Sequence, residues 1–293
     1  IQHKPGDTME VDWAGATIDI YDSVTSEVTP AYLFVAVLSC SCYVYAEICI
    51  NMKSDTFINC HVHAYEYFGG VTRLLIPDNL KTGITRNTRY ETAIPRAYKE
   101  MAEHYNTAIV PARVKHPDDK PNAEGSVKFA TTWILAALRN YHFFSIEEAR
   151  MAVSEKLEEL NNRPFTKRAG NRRIAFETEE KEFMQPLPLC PYEPAVWSTA
   201  KVQNDYLISD GINKYSVPFD LIGEHVNIRC TGTTVEVFFH GSRVASHVRR
   251  SEAQRDPISI KEHMPPEHQK YLTYNPEEFK NWAECIGEFT SKV

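Results

Sequence analysis

The stretch "PAYLFVAVLSCSCYVYAEICI", ending at Ile50, constrains the fold of this chain more than any other. Together with Val28 and Thr29 it forms a nearly continuous apolar run rich in Val, Tyr, Phe and Ile, with small residues only at Ser39 to Cys42. Such a composition reads as two strands joined by a tight turn. It is not a bilayer-spanning segment, because no apolar run in the chain is long enough to cross the hydrocarbon. The preceding segment "MEVDWAGATIDIYD" alternates as a strand, with Met9, Val11 and Trp13 on one side and Thr8, Glu10 and Asp12 on the other. Three antiparallel strands in succession form a meander.

Downstream the pattern turns to helices and single strands. Phe57, Ile58, Val62, Tyr65 and Phe68 are spaced for a helix, with Ser54 or Asp55 suited to its N-cap and Gly69-Gly70 to its end. "TRLLIP" reads as a short buried strand, residues 94–105 as a helix and "TAIVPARV" as another strand. Val127, Ala130, Ile134, Ala137 and Tyr141 form the stripe of a long helix. Ser145, with Glu148 three residues on, caps one more, which runs to about Leu160. This order predicts an α/β fold, a mixed five-stranded sheet with flanking helices, over residues 1–165. Pro186, Pro188, Pro191 and Pro194 mark a helical, proline-rich linker over 166–195. Short strands broken by Asp210-Gly211, Gly232 and His240-Gly241 predict a small all-β barrel over 196–250. A polar tail with a final helix near Glu277 to Phe289 is expected over 251–293.

The 293 residues carry a formal charge of −7, which by itself argues against nucleic acid as a partner. Local clusters argue the other way: Lys81, Arg86 and Arg89; Arg113, Lys115, Lys120 and Lys128; Lys167, Arg168, Arg172 and Arg173; and Arg243, Arg249 and Arg250. A basic groove on an acidic protein can hold phosphate, since such contacts act within about a Debye length. The seven cysteines are odd in number and form no CxxC pair, so they read as reduced, buried thiols of a cytoplasmic protein rather than disulfides or zinc ligands. The chain starts at Ile1 and shows no signal peptide, and further sequence upstream is expected.

Against this background Asp12 stands out, a carboxylate in the middle of the first strand. A buried carboxylate costs several kcal/mol unless something pairs with it. Asp78 follows the strand "TRLLIP" directly, and Glu124 lies in the first turn of the long helix. If the first and fourth strands are neighbours, Asp12 and Asp78 lie side by side with Glu124 within reach. Three converging carboxylates repel one another unless divalent cations hold them. Hard oxygen donors left partly open suit Mg²⁺, and two such ions about 3.5–4 Å apart can drive phosphodiester chemistry. With 39 acids in the chain, the alternative is that Asp78 is a turn residue and Glu124 simply favours a helix N-terminus.

The segments "VDWAG", "PDNLKTGI" and "KPNAEGSVKFATTWIL" together resemble the DDE-type integrase catalytic core. They resemble more closely the IstA-type bacterial insertion-sequence transposases, over residues 6–163. "NKYSVPFDLIGEHVNIRCTGTTVEVFFHGSRVASHVR" resembles the β-barrel that follows the core in these enzymes and in phage Mu transposase. The resemblance implies a ribonuclease H-like fold, with Asp12, Asp78 and Glu124 as the catalytic, metal-holding acids for two Mg²⁺ ions, for which Mn²⁺ substitutes. It implies cleavage at transposon-end DNA followed by attack of the freed 3′-OH on target DNA. It further implies an AAA+ helper ATPase as partner, a homo-oligomer on DNA, and no membrane. A ribonuclease H-like nuclease, or a non-catalytic DNA-binding or assembly module, are the alternative readings.

Other residues carry two readings each. Asn79 can orient a metal-bound carboxylate or be a turn residue. Lys128, one turn after Glu124, can meet DNA phosphate or pair with Glu124 on the surface. Lys81 and Lys120 flank the same acids and favour phosphate contact. Arg172 and Arg173 can track the DNA backbone or be linker charge, and His116 reads as a solvated loop residue. His61 and His63 fall on opposite sides of their helix and are poor joint ligands. Trp13 and Trp133 read as core, and Asp19 and Asp22 as a hairpin edge beyond the glycine break. Lys214, Tyr215, Arg243, Arg249 and Arg250 offer a surface for DNA or a partner subunit.

Overall fold

A computed structural model of the chain describes residues 4–77, 87–88, 91–92, 95–110, 123–166 and 168–273, together with 281, 285 and 286. The chain divides into two compact units, Ile1–Pro194 and Ala195–Val293.

In the first unit the apolar run becomes β2 (Val28–Leu38) and β3 (Val44–Cys49), which follow β1 (Thr8–Tyr21) as an antiparallel meander. After α1 (Ser54–Phe68), β4 (Leu74–Pro77) pairs with β1 in parallel. A two-residue ribbon, β5 (Asn87–Thr88) with β6 (Glu91–Thr92), precedes α2 (Arg96–His104). Strand β7 (Ala108–Ile109) then adds in parallel to β4, and α3 (Ala123–Leu138) and α4 (Ile146–Asn162) follow. The strand order β3-β2-β1-β4-β7 is that of the ribonuclease H-like fold.

The centre of the sheet explains the apolar run. Phe34, Ala36 and Leu38 pack with α1 and α2, while Leu33, Val35 and Val37 pack with α3 and α4. A strand covered on both faces has no polar side to alternate with.

Local chemistry departs from expectation in two places. Helix α1 is capped at Lys53, without a side-chain bond, rather than at Ser54 or Asp55. The Asn51 side chain holds the entry instead, its Oδ1 accepting from Lys53 N–H at 2.9 Å and from the Thr56 hydroxyl at 2.7 Å. Strand β1 does not stop at Gly15; its register shifts between Trp13 and Thr17, and pairing resumes so that Asp19 opposes Pro30. Asp22 then closes the turn, accepting from Val24 and Thr25 N–H. The expected cap of α4 is present, with Ser145 Oγ accepting from Glu148 N–H at 3.1 Å.

The segment after α4 packs onto the first unit. Helix α5 (Arg172–Ala175) continues through a π turn, Phe176–Glu180, into a short 3-10 turn. Phe176 and Tyr192 join the core beside α1 and α2. Glu180, 1% exposed, accepts from Gly6 N–H at 3.2 Å and from Ser41 N–H at 2.9 Å. Gly6 has φ +67°, and a Cβ there would stand 2.5 Å from the Phe183 carbonyl oxygen, so only glycine fits.

The second unit has its own core. Strands β8 (Val196–Lys201), β9 (Leu207–Ser209), β10 (Lys214–Ser216), β11 (His225–Cys230), β12 (Thr234–Phe239) and β13 (Ser242–Val248) form a four-stranded antiparallel sheet, β13-β12-β11-β8, and a β9–β10 ribbon. Ile208, Tyr215, Ile228, Val235 and Val237 pack between them. Tyr215 is wholly buried, so it is a core residue and not part of an interaction surface. Polar residues past 251 return to this unit through Ile258 and His263, which meet Tyr215 and Ser216, before α6 (Pro266–Thr273). The helix expected at Glu277 to Phe289 falls largely outside the described residues. Among the described residues no helix is long and apolar enough to cross a membrane.

Candidate active site

Asp12 sits on β1 opposite Val35 and just before the register shift, on the face covered by α3 and α4. Its side chain is half-buried, and Oδ1 accepts from the Trp13 N–H at 2.8 Å, which fixes the carboxylate against the strand. On the opposite face Trp13 stacks edge-on with Phe34, at 5.5 Å between ring centres, and so anchors the backbone beneath Asp12. The neighbouring parallel strand ends at Pro77, which pairs with Val11. Asp78 and Asn79 are the next two residues in the chain and lie outside the described residues, as do Lys81, His116 and Lys120. Glu124 is in the first turn of α3, with its backbone described and its side chain not.

Asp12 lines a cleft of about 330 Å³ together with Glu10, Trp13, Ile76, Lys128 and Thr132. Lys128 is exposed and lines the cleft from α3. The cleft continues through Gly15, Thr131 and Thr132 into a second hollow that runs along α3 to Arg139 and His142.

Glu10 was not singled out from the sequence, although it alternates onto the same side as Asp12. It is 5% exposed, its Oε1 accepts from the Ser39 hydroxyl at 3.3 Å, and it adds a second carboxylate to the cleft wall.

The structure gives Arg172 and Arg173 partners within the protein. Arg172 donates to the Leu160 carbonyl and lies over the Phe129 and Phe165 rings, and burial holds its pKa below the usual guanidinium value. Arg173 pairs with Glu158. In the second unit Arg243 is bound to Glu236, and Arg249 to Asp210 and to the Thr231 carbonyl. His61 and His63 do point apart, His61 into the core and His63 to Glu47.

A family described as "Mu transposase, C-terminal domain" matches residues 187–259. A "Putative transposase" of Sinorhizobium fredii is 39% identical over 98% of this chain and 55% of its own length. A "Putative transposase for insertion sequence IS1162" of Pseudomonas fluorescens is 37% identical over 100% of this chain and 52% of its own length. The chain thus spans about half the length of these relatives. Among solved structures, the catalytic core domain of BIV integrase aligns with 61% of this chain and 99% of its own, at 12% identity and a TM-score of 0.42. With relatives this similar along almost all of its residues, the chain belongs to the family of insertion-sequence transposases.

Proposed function

We propose that this chain carries the catalytic core of a DNA transposase, which cleaves at transposon ends and transfers the resulting 3′-OH strand into target DNA. The observation that carries the reading is Asp12 on the wall of an elongated groove. It lies next to the strand that leads into Asp78 and under the helix whose first turn contains Glu124.

The donors fit the metal that this chemistry uses. Carboxylate oxygens at an open cleft are hard ligands that leave room for water and phosphate oxygens, as Mg²⁺ prefers. Asp12, Asp78 and Glu124 would hold two such ions, which supply charge stabilisation at the phosphorus and a lowered pKa for bound water. The chain's own groups orient the rest. The Trp13 N–H holds one oxygen of Asp12 against the strand, and Lys128 offers a cation to phosphate beside the acids. A groove that runs on along α3 to Arg139 suits a polymer more than a small molecule. Arg172 and Arg173, already engaged by the protein, contribute less to DNA than Lys128 does. Joining two transposon ends to a target calls for a second copy of the chain on the DNA.

The test is strand joining on transposon-end DNA with Mg²⁺, in the full-length protein. Asp12→Asn, Asp78→Asn and Glu124→Gln should each lower joining by about a hundredfold or more, since metal-held charge is worth several kcal/mol. Their melting curves should stay like that of the parent. Undiminished joining in all three would sink the reading, and faster cleavage of RNA–DNA hybrid than of terminal DNA would favour a nuclease. Lys128→Ala should weaken DNA binding uniformly across sequences and lower the salt slope by about one. A filter-binding series in salt reads that directly.

A further inference from the structure

On the opposite face of the sheet from Asp12, strand β3 and helix α1 bring three metal-type donors together, with a fourth, His63, beside one of them. Glu47 and Cys49 are two apart on β3 and share its α1-facing side, opposite Phe34 and Tyr32 respectively. Cys60 and His63 are three apart on α1, hence neighbours on one helical face. The Cys49 and Cys60 sulfurs are 3.5 Å apart. One donor atom from each of Glu47, Cys49 and Cys60 lies within 4.8 Å of the other two, the one such group of three among the described residues. His63 Nδ1 is 3.1 Å from Glu47 Oε2.

We propose that Glu47, Cys49 and Cys60 form a binding site for a zinc-class divalent cation that ties the edge strand to α1, with His63, held beside Glu47, turning in to complete the ligand set. The sulfur pair and the Glu47–His63 pair stand close to the separations such an ion imposes. Two thiolates on one tetrahedral zinc, with Zn–S about 2.3 Å, stand about 3.8 Å apart. Nitrogen and oxygen ligands at about 2.0–2.2 Å stand about 3.4 Å apart. The donors come in pairs from two rigid elements, which fixes a tetrahedron more firmly than a loop does. Two sulfurs, a nitrogen and one carboxylate make a soft to borderline set, the opposite of the hard oxygens around Asp12. Cys49 and Cys60 are buried while the His63 side chain is 51% exposed, so the imidazole edge is the path by which an ion enters. Binding converts both thiols to thiolates and releases their two protons to solvent.

Cobalt(II) reports the site without reference to DNA chemistry. Titrated into the reduced full-length protein, Co²⁺ should give a thiolate-to-cobalt charge-transfer band that saturates at one ion per chain and is bleached by Zn²⁺. The band should vanish in Cys49→Ser and in Cys60→Ser. Glu47→Gln and His63→Ala should keep it but weaken Co²⁺ binding by about tenfold or more. No thiolate band in the parent protein overturns the site, as does a band that survives both cysteine substitutions. Ions held by the acids near Asp12 give no sulfur band, so loss of the transposase reading and loss of this one are separate results.

Discussion

His61 is a histidine whose neutral form the fold requires. Its Nδ1 lies 2.6 Å from the Phe57 carbonyl, to which it donates, and its Nε2 accepts from the Tyr98 hydroxyl at 3.0 Å. Full burial pulls its pKa down to about 4, against the smaller pull upward of the Phe57 carbonyl and Glu47. Between that value and about 6.5 the unfolded chain binds a proton that the folded chain refuses, so stability is lost as pH falls through this window. The loss is on the order of 3 kcal/mol by pH 4. Urea melts at pH 7 and pH 5 should show a drop that His61→Gln reduces. The sequence separated His61 from His63 correctly, because helical spacing decides which face each takes. It also placed Asp12 and Glu10 on one side of β1. Burial decides which carboxylate is held by neighbours and which opens to a cleft, and burial depends on Ser39 and on α3, far along the chain.

Among the elements, those with a clean period were legible. The apolar run gave β2 and β3, and spacings of three and four gave α1, α3 and α4, as did the Ser145 cap. What a local pattern cannot carry was missed. Nothing near Ser54 shows that Asn51 will hold the start of α1, and Gly15 reads as a break because glycine is as common in a shifted register as in a turn. The proline-rich stretch after α4 reads as a linker because its partners are distant. Glu180 is the clearest case, a buried carboxylate between two backbone N–H groups of other elements. Glu180→Ala leaves both donors unpaired, and the first unit should lose about 1–3 kcal/mol or more. Glu180→Gln, which keeps one acceptor oxygen, should lose less. Chemical denaturation of both variants checks the order.

For the molecule, each unit has a core of its own, and that of Ala195–Val293 is built from Ile208, Tyr215, Ile228 and Val237. Residues 195–293 expressed alone should therefore melt cooperatively and give dispersed amide resonances; a collapsed, poorly dispersed spectrum would contradict this. The net charge of −7 is uninformative at this level, because an average over 293 residues says nothing about which face a groove occupies. The order of β1, β4 and α3 along the chain carried more information than composition did, since pairing and packing set β1 beside β4 and against α3.

The Glu180 bridge also has a temporal meaning. It joins residues 174 positions apart, and Gln185 pairs with Val71 beside it. On the ribosome β1 emerges well before the residue that anchors its entry. The meander can pair early, but the first unit cannot close until the chain past Gln185 has emerged. Until then Gly6, Ser41 and Val71 wait with open backbone groups at a sheet that is otherwise complete, and a chain cut at 165 would hold that unfinished state permanently.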